Sequence, residues 1–100
     1  MPPVAVPDDV DDPKIAKASG RVELPHSIRW SGPRPIYDLA QRTDRARVYE
    51  QVLREGTADD VRRFIVVDDL IDLWDELYLP EHVRTPWCDW LRRRGIQLQC

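Results

Sequence analysis

Long apolar runs are missing from this chain: no uninterrupted apolar stretch exceeds the four residues Phe64–Val67, far short of the ~20 needed to span a bilayer. Glycine is scarce and scattered, at positions 20, 32, 56 and 95, which leaves no glycine-rich loop to cradle a phosphate. The two histidines, His26 and His82, lie in different kinds of segment, and neither belongs to a Ser or Cys motif. Two cysteines, Cys88 and Cys100, lack metal-ligand spacing and no secretory leader precedes them, so the expectation is reduced thiols in a soluble cytoplasmic protein. Lysine is almost absent, 2 against 13 Arg; this imbalance reads as codon composition and carries no functional weight. No segment has the alternation and length of a convincing strand.

What is present is a central stripe. Leu70, Leu73, Trp74 and Leu77 fall at i, i+3, i+4 and i+7, the spacing that sets four large side chains on one face of a helix. Between them stand Asp69, Asp72, Asp75 and Glu76, so the outward face is acidic. Asp68 is positioned to cap this helix, and Pro80 stops it at or before Leu79. The overall charge of −3 conceals a polarity along the chain. Residues 66–82 hold six acids and no Lys or Arg, while residues 21–42 and 83–100 are net basic. A nucleic acid is repelled by the central block, and a basic partner is attracted to it.

Four regions follow from the pattern. Residues 1–20, with four prolines and four aspartates, show no period and read as disordered or extended. Residues 21–42 form an extended arm, because Pro25, Pro33 and Pro35 punctuate Val22, Leu24, Ile28, Trp30 and Ile36. Such an arm lies either across its own helices or across a partner. Residues 43–95 form a compact helical body, and 96–100 a tail. Within the body, Thr43 or Asp44 caps a helix to about Arg54 with Ala46, Tyr49, Val52 and Leu53 inward, closed by Gly56 in the left-handed conformation. Thr57-Ala58-Asp59-Asp60 resembles a capping box that starts a second helix, with Val61, Phe64 and Ile65 inward. The acidic helix is third. Pro80–Arg84 adds a separate turn, and Thr85-Pro86 opens a last helix carrying Trp87, Trp90 and Leu91 to Gly95. The fold class is therefore all-α, a small bundle of about four short helices with an extended, partly disordered N-terminal arm.

Chemistry-bearing constellations are sparse. Asp69, Asp72 and Glu76 can share one side as a metal site, but repeated acids on a surface helix are ordinary, and no cofactor, metal or catalytic group is assigned. The Glu55-Gly56-Thr57 link also suits a helix-turn-helix, with Asp59 to Ile65 as recognition helix. Two aspartates at its start oppose phosphates, so DNA binding as a small transcriptional regulator is the alternative rather than the first reading.

The segments Ile36-Tyr37-Asp38-Leu39, Asp44 to Thr57 (with RARVYEQVLREGT), Leu73 to Pro80 (LWDELYLP) and Val83 to Trp87 resemble small proteins encoded beside nucleotidyltransferase toxins of the abortive-infection type, including MenA-kind antitoxins that pair with MenT toxins. The resemblance covers about Trp30 to Trp87. It implies a cognate toxin that transfers nucleotides to tRNA acceptor ends and is silenced by this chain. On that reading the chain is an antitoxin and not an enzyme, and it acts by protein–protein contact without a membrane. The toxin interface is expected at Ile28, Trp30, Tyr37, Asp69, Asp72, Asp75, Glu76, Trp87 and Trp90, with Trp30 anchoring a wrapped arm and the acidic helix facing a basic cleft.

Overall fold

In the computed structural model, residues 4–26, 28 and 35–100 are described. Two short strands, β1 (Arg21–Glu23) and β2 (Ile36–Asp38), pair antiparallel with Val22 opposite Tyr37. They are followed by α1 (Arg42–Glu55), α2 (Ala58–Phe64), α3 (Val67–Leu73), a 3-10 turn at Trp74–Glu76 and α4 (Glu81–Arg93). The chain is thus mostly helical rather than purely all-α. Three-residue strands lie below the length at which a sequence period registers, and it is their pairing across the proline-rich segment that makes them strands.

The helices start and stop for physical reasons that differ in part from the expected ones. α2 carries the full capping box: the Thr57 hydroxyl accepts from the Asp60 N–H at 3.2 Å and the Asp60 carboxylate accepts from the Thr57 N–H at 2.9 Å. α1 instead begins after Gln41 with no side-chain cap. Asp44 reaches back to accept from the Asp38 N–H at 3.0 Å, tying the helix to β2. α3 begins after Val66, also without a side-chain cap, so Asp68 lies within the first turn rather than at the cap. The Val66 N–H donates to the Tyr49 hydroxyl at 3.0 Å. Gly56 is not left-handed; its φ is −74°. Glycine is required there by space, since a Cβ would stand 2.6 Å from the Val52 carbonyl oxygen and 3.1 Å from Asp60 Cβ. Gly95, by contrast, takes a positive φ of 86° where α4 ends.

The expected break at Thr85-Pro86 is absent, and α4 runs unbroken from Glu81 with Pro86 inside it. Proline there removes the bond that would reach the His82 carbonyl, a cost of about 3 kcal/mol in a helix interior. Val83, Trp87, Trp90 and Leu91, all buried, make one continuous stripe through that point. Each contributes ~1.5–3 kcal/mol on burial, enough to hold the helix together. The acidic helix is shorter than its stripe, because α3 tightens into the 3-10 turn and the Leu77 N–H donates to both Leu73 and Trp74 carbonyls at 3.1 and 3.4 Å. Leu77 and Leu79 then both point inward from extended chain, and Tyr78 between them points out.

The core joins all four helices: Val52, Leu53, Phe64, Ile65, Leu70, Leu73, Trp74 and Leu77 are all buried in it. Segments expected outside the core also enter it. Leu24 and Ile28 of the arm are buried, so at these residues the arm lies on its own helices. Residues 4–18 form an ordered strap rather than a free tail. Val10 is fully buried, Val4, Ala5 and Val6 pack on the core, and the Ala18 N–H donates to the Arg63 carbonyl at 2.8 Å. The ammonium of Lys17 donates to the Val10 and Arg62 carbonyls, and burial pushes its pKa below the ordinary lysine value. At the other end, Cys88 and Cys100 are joined as a disulfide across Cα atoms 6.1 Å apart, in place of the expected separate thiols. The bridge holds the tail against α4 and Trp74, whose indole N–H donates to the Gln99 carbonyl at 3.4 Å.

Candidate interaction surface

Burying Leu70, Leu73, Trp74 and Leu77 on one side of α3 and its 3-10 extension forces the interleaved residues outward. Asp72, Asp75 and Glu76 are exposed as a result. The surface is less negative than the sequence block implies, because Arg42 from the first turn of α1 comes across to it. The Arg42 guanidinium pairs with the Asp72 carboxylate, donates to the Glu76 carboxylate from Nε at 3.0 Å and to the Asp72 carbonyl at 3.1 Å. Hydrogen bonds to Asp72 and then Glu76 raise the already high Arg42 pKa. The guanidinium sits where a metal ion held by Asp72 and Glu76 would have to sit. Among the described residues, no group of three or more His, Cys, Asp or Glu is placed to hold a metal ion.

Beside this latch, Arg42, Thr43, Ala46, Arg47, Glu50 and Glu76 line a shallow depression of about 420 Å³. Glu50 continues it by accepting the Tyr78 N–H at 2.6 Å, which fixes the backbone at the turn into α4. Tyr78 itself stands out from that turn, 77 % exposed. Such exposure is unusual for an aromatic residue fixed on a rigid backbone, and aromatic residues are those that anchor protein interfaces. Ile36, 62 % exposed on β2, is the second large apolar side chain left outside among the described residues.

The residues expected at an interface divide three ways. Asp72, Asp75 and Glu76 share the exposed face with Tyr78, while Asp69 is half-buried and lines a separate hollow with Lys17, Arg45 and Tyr49. Burial pushes the Tyr49 hydroxyl up to about 12, so it stays protonated at neutral pH. Tyr37 is half-buried opposite Val22 in the sheet. Ile28, Trp87 and Trp90 are inside the core, and the two indoles meet edge to face with centroids 5.9 Å apart. These three serve the fold; a partner does not reach them on the surface described. Trp30 lies outside the described residues.

Sequence reasoning missed Tyr78 and Arg42. A helical period carried past Trp74 places Tyr78, four residues on, on the same inward face. The signal that finds it is the alternation Leu77-Tyr78-Leu79 just before Pro80, a period of two in a segment that proline keeps extended. Arg42 gives no such signal, since 30 residues separate it from Asp72. The helix-turn-helix reading fares poorly in the geometry of α2: Asp60 is used in the capping box, and Arg62 is held by Asp59 and Asp9, both at 2.9 Å. Among the described residues no helix is long and apolar enough to cross a membrane. Compared with family models, curated proteins and solved structures, the chain matches none of them.

Proposed function

We propose that this chain is an antitoxin that binds and neutralises a nucleotidyltransferase toxin acting on tRNA, through protein–protein contact. The observation that carries the reading is the outward projection of Tyr78 beside Asp75 and the Arg42-latched Asp72 and Glu76. In the LWDELYLP segment on which the family resemblance rests, Leu73, Trp74, Leu77 and Leu79 are buried, and Asp75, Glu76 and Tyr78 are what the segment displays. A rigid aromatic anchor with an acidic rim suits a basic, phosphate-handling cleft: the anchor supplies contact area and the carboxylates steer association. Arg42 holds two of the carboxylates in fixed positions, which lowers the entropy lost when a partner engages them.

The experiment is co-expression with the product of the neighbouring gene, followed by co-purification, growth rescue and a tRNA-protection assay. Tyr78→Ala is expected to leave the thermal midpoint unchanged and to weaken the complex by about 2 kcal/mol or more, as truncation of an aromatic hot spot does. Asp75→Asn is expected to slow association at low salt and to matter less at high salt. Absence of a complex with the parent chain rejects the antitoxin reading. A complex that Tyr78→Ala leaves intact rejects the face.

A further inference from the structure

Past Gly95 the chain turns back toward Cys88, and residues 96–100 form a tail without helix or strand. Ile96 and Leu98 are half-buried against the core, while Gln97, Gln99 and Cys100 are exposed. Few bonds besides the disulfide hold this tail. The Ile96 N–H donates to the Leu91 carbonyl at 3.1 Å, Arg92 Nη2 to the Leu98 carbonyl at 2.9 Å in the open, and the Trp74 indole N–H to the Gln99 carbonyl at 3.4 Å. Ordering such a segment costs more conformational entropy than two half-buried side chains return, so the bridge is what keeps it in place. Its two sulfurs differ in access. Cys88 is 1 % exposed on the inward stripe of α4, whereas Cys100 is exposed. Trp74, equally covered, is the inner residue of the 3-10 turn, with the Arg84 guanidinium 4.7 Å from its ring centroid and Gln99 on its N–H.

We propose that Cys100 is a site of S-thiolation by low-molecular-weight thiols of the glutathione class, and that its modification releases residues 96–100 and uncovers the Trp74 indole behind the 3-10 turn. A thiolate reacts with the disulfide sulfur it can reach. Attack at Cys100 Sγ forms a bond to the incoming sulfur and breaks the bond between the two cysteines. The electron pair leaves with Cys88 Sγ, which takes up the proton that the incoming thiol gave up. Attack at Cys88 is blocked by the packing around it. The product carries a mixed disulfide on Cys100 and a thiol on Cys88, and no other oxidant or reductant enters. With the tail gone, the two sulfurs are apart and the Gln99 carbonyl no longer covers the indole N–H. Every step belongs to the chain alone, so its failure leaves the toxin-binding proposal standing.

The oxidised full chain is incubated with reduced glutathione, unfolded in mildly acidic guanidinium with N-ethylmaleimide to cap free thiols, and digested with trypsin for mass spectrometry. Glutathione is expected on the peptide Gly95–Cys100, which follows cleavage at Arg94 and carries Cys100 alone, and the maleimide on Thr85–Arg92, which carries Cys88. The release is read separately, by hydrogen exchange of the indole N–H groups in nitrogen-15 NMR spectra of the folded protein. Exchange at Trp74 is expected to quicken about tenfold on thiolation, as local opening of one segment does, while Trp87 and Trp90 stay as slow as in the oxidised parent. Cys100→Ser, at an exposed position and with its helical circular dichroism first compared with the parent, is expected to show the same fast Trp74 exchange without added thiol. Glutathione on Cys88, on both peptides equally or on neither overturns the site. Exchange at Trp74 that stays slow in the thiolated protein and in Cys100→Ser overturns the release.

Discussion

Gly56 sits where two physical accounts of one residue make opposite statements about its replacement. Were it glycine for conformational reasons, in the left-handed region, asparagine would be tolerated better than alanine there. Its φ of −74° and ψ of 159° are open to any residue, and the obstacle is the space behind it. A Cβ would meet the Val52 carbonyl oxygen at 2.6 Å, Asp60 Cβ at 3.1 Å and Val52 Cγ1 at 3.3 Å. The first of these is backbone within α1 and cannot swing aside, so the α1–α2 link must open. Overpacking of this kind costs about 1–3 kcal/mol. The lost freedom of the unfolded chain returns ~0.4–1 kcal/mol for a Gly-to-Ala change. A net loss of about 1–2 kcal/mol is expected, and each kcal/mol lowers the Tm of a domain this size by about 4–8 °C. Gly56→Ala and Gly56→Asn are compared with the parent by urea and thermal unfolding. Both are expected to be destabilised to a similar extent. An alanine variant as stable as the parent, or an asparagine variant clearly better than alanine, refutes the steric account.

Leu73→Ala, at a fully buried position, is expected to cost about 2–5 kcal/mol in urea unfolding; a midpoint that does not move shows that the central stripe is not core. Thr57→Ala removes the hydroxyl half of the capping box, leaving the backbone N–H bond to the Asp60 carboxylate, and is expected to cost ~0.5–2 kcal/mol, with hydrogen exchange speeding first at the start of α2. Acid is expected to loosen the strap before the body. The Arg62 hydrogen bond holds Asp9 below its ordinary 3.8, with the charge of Arg62 and of Lys17 acting in the same direction. Asp59 shares Arg62 from α2 and Asp11 faces Arg94 from α4. A depressed carboxylate contributes stability that is present above its unfolded pKa and is lost as pH falls through the lower, folded one. Tryptic-site exposure or amide exchange in residues 4–18 should therefore rise only below about pH 4; loosening already at pH 6 would show that Asp9 does not hold the strap.

The sequence by itself determined the helical body, its inward residues and its sharpest local signal. The period of the Leu70–Leu77 stripe and the Thr57–Asp60 box depend on residues within one or two turns of each other, and local geometry is what a one-dimensional pattern records. It also determined that Asp72, Asp75 and Glu76 face outward, because the stripe leaves them no other side. Tertiary structure decided what crosses long separations. Arg42 reaches Asp72 and Glu76, the strap's aspartates reach Arg62 and Arg94, and β1 finds β2. Tertiary packing also overrode two local signals. Four buried side chains carry α4 through Pro86, and the approach of Val52 to the α1–α2 link, rather than a left-handed turn, requires glycine at position 56. Packing energy summed over several side chains exceeds a single residue's preference, and that sum exists only once the helices have met.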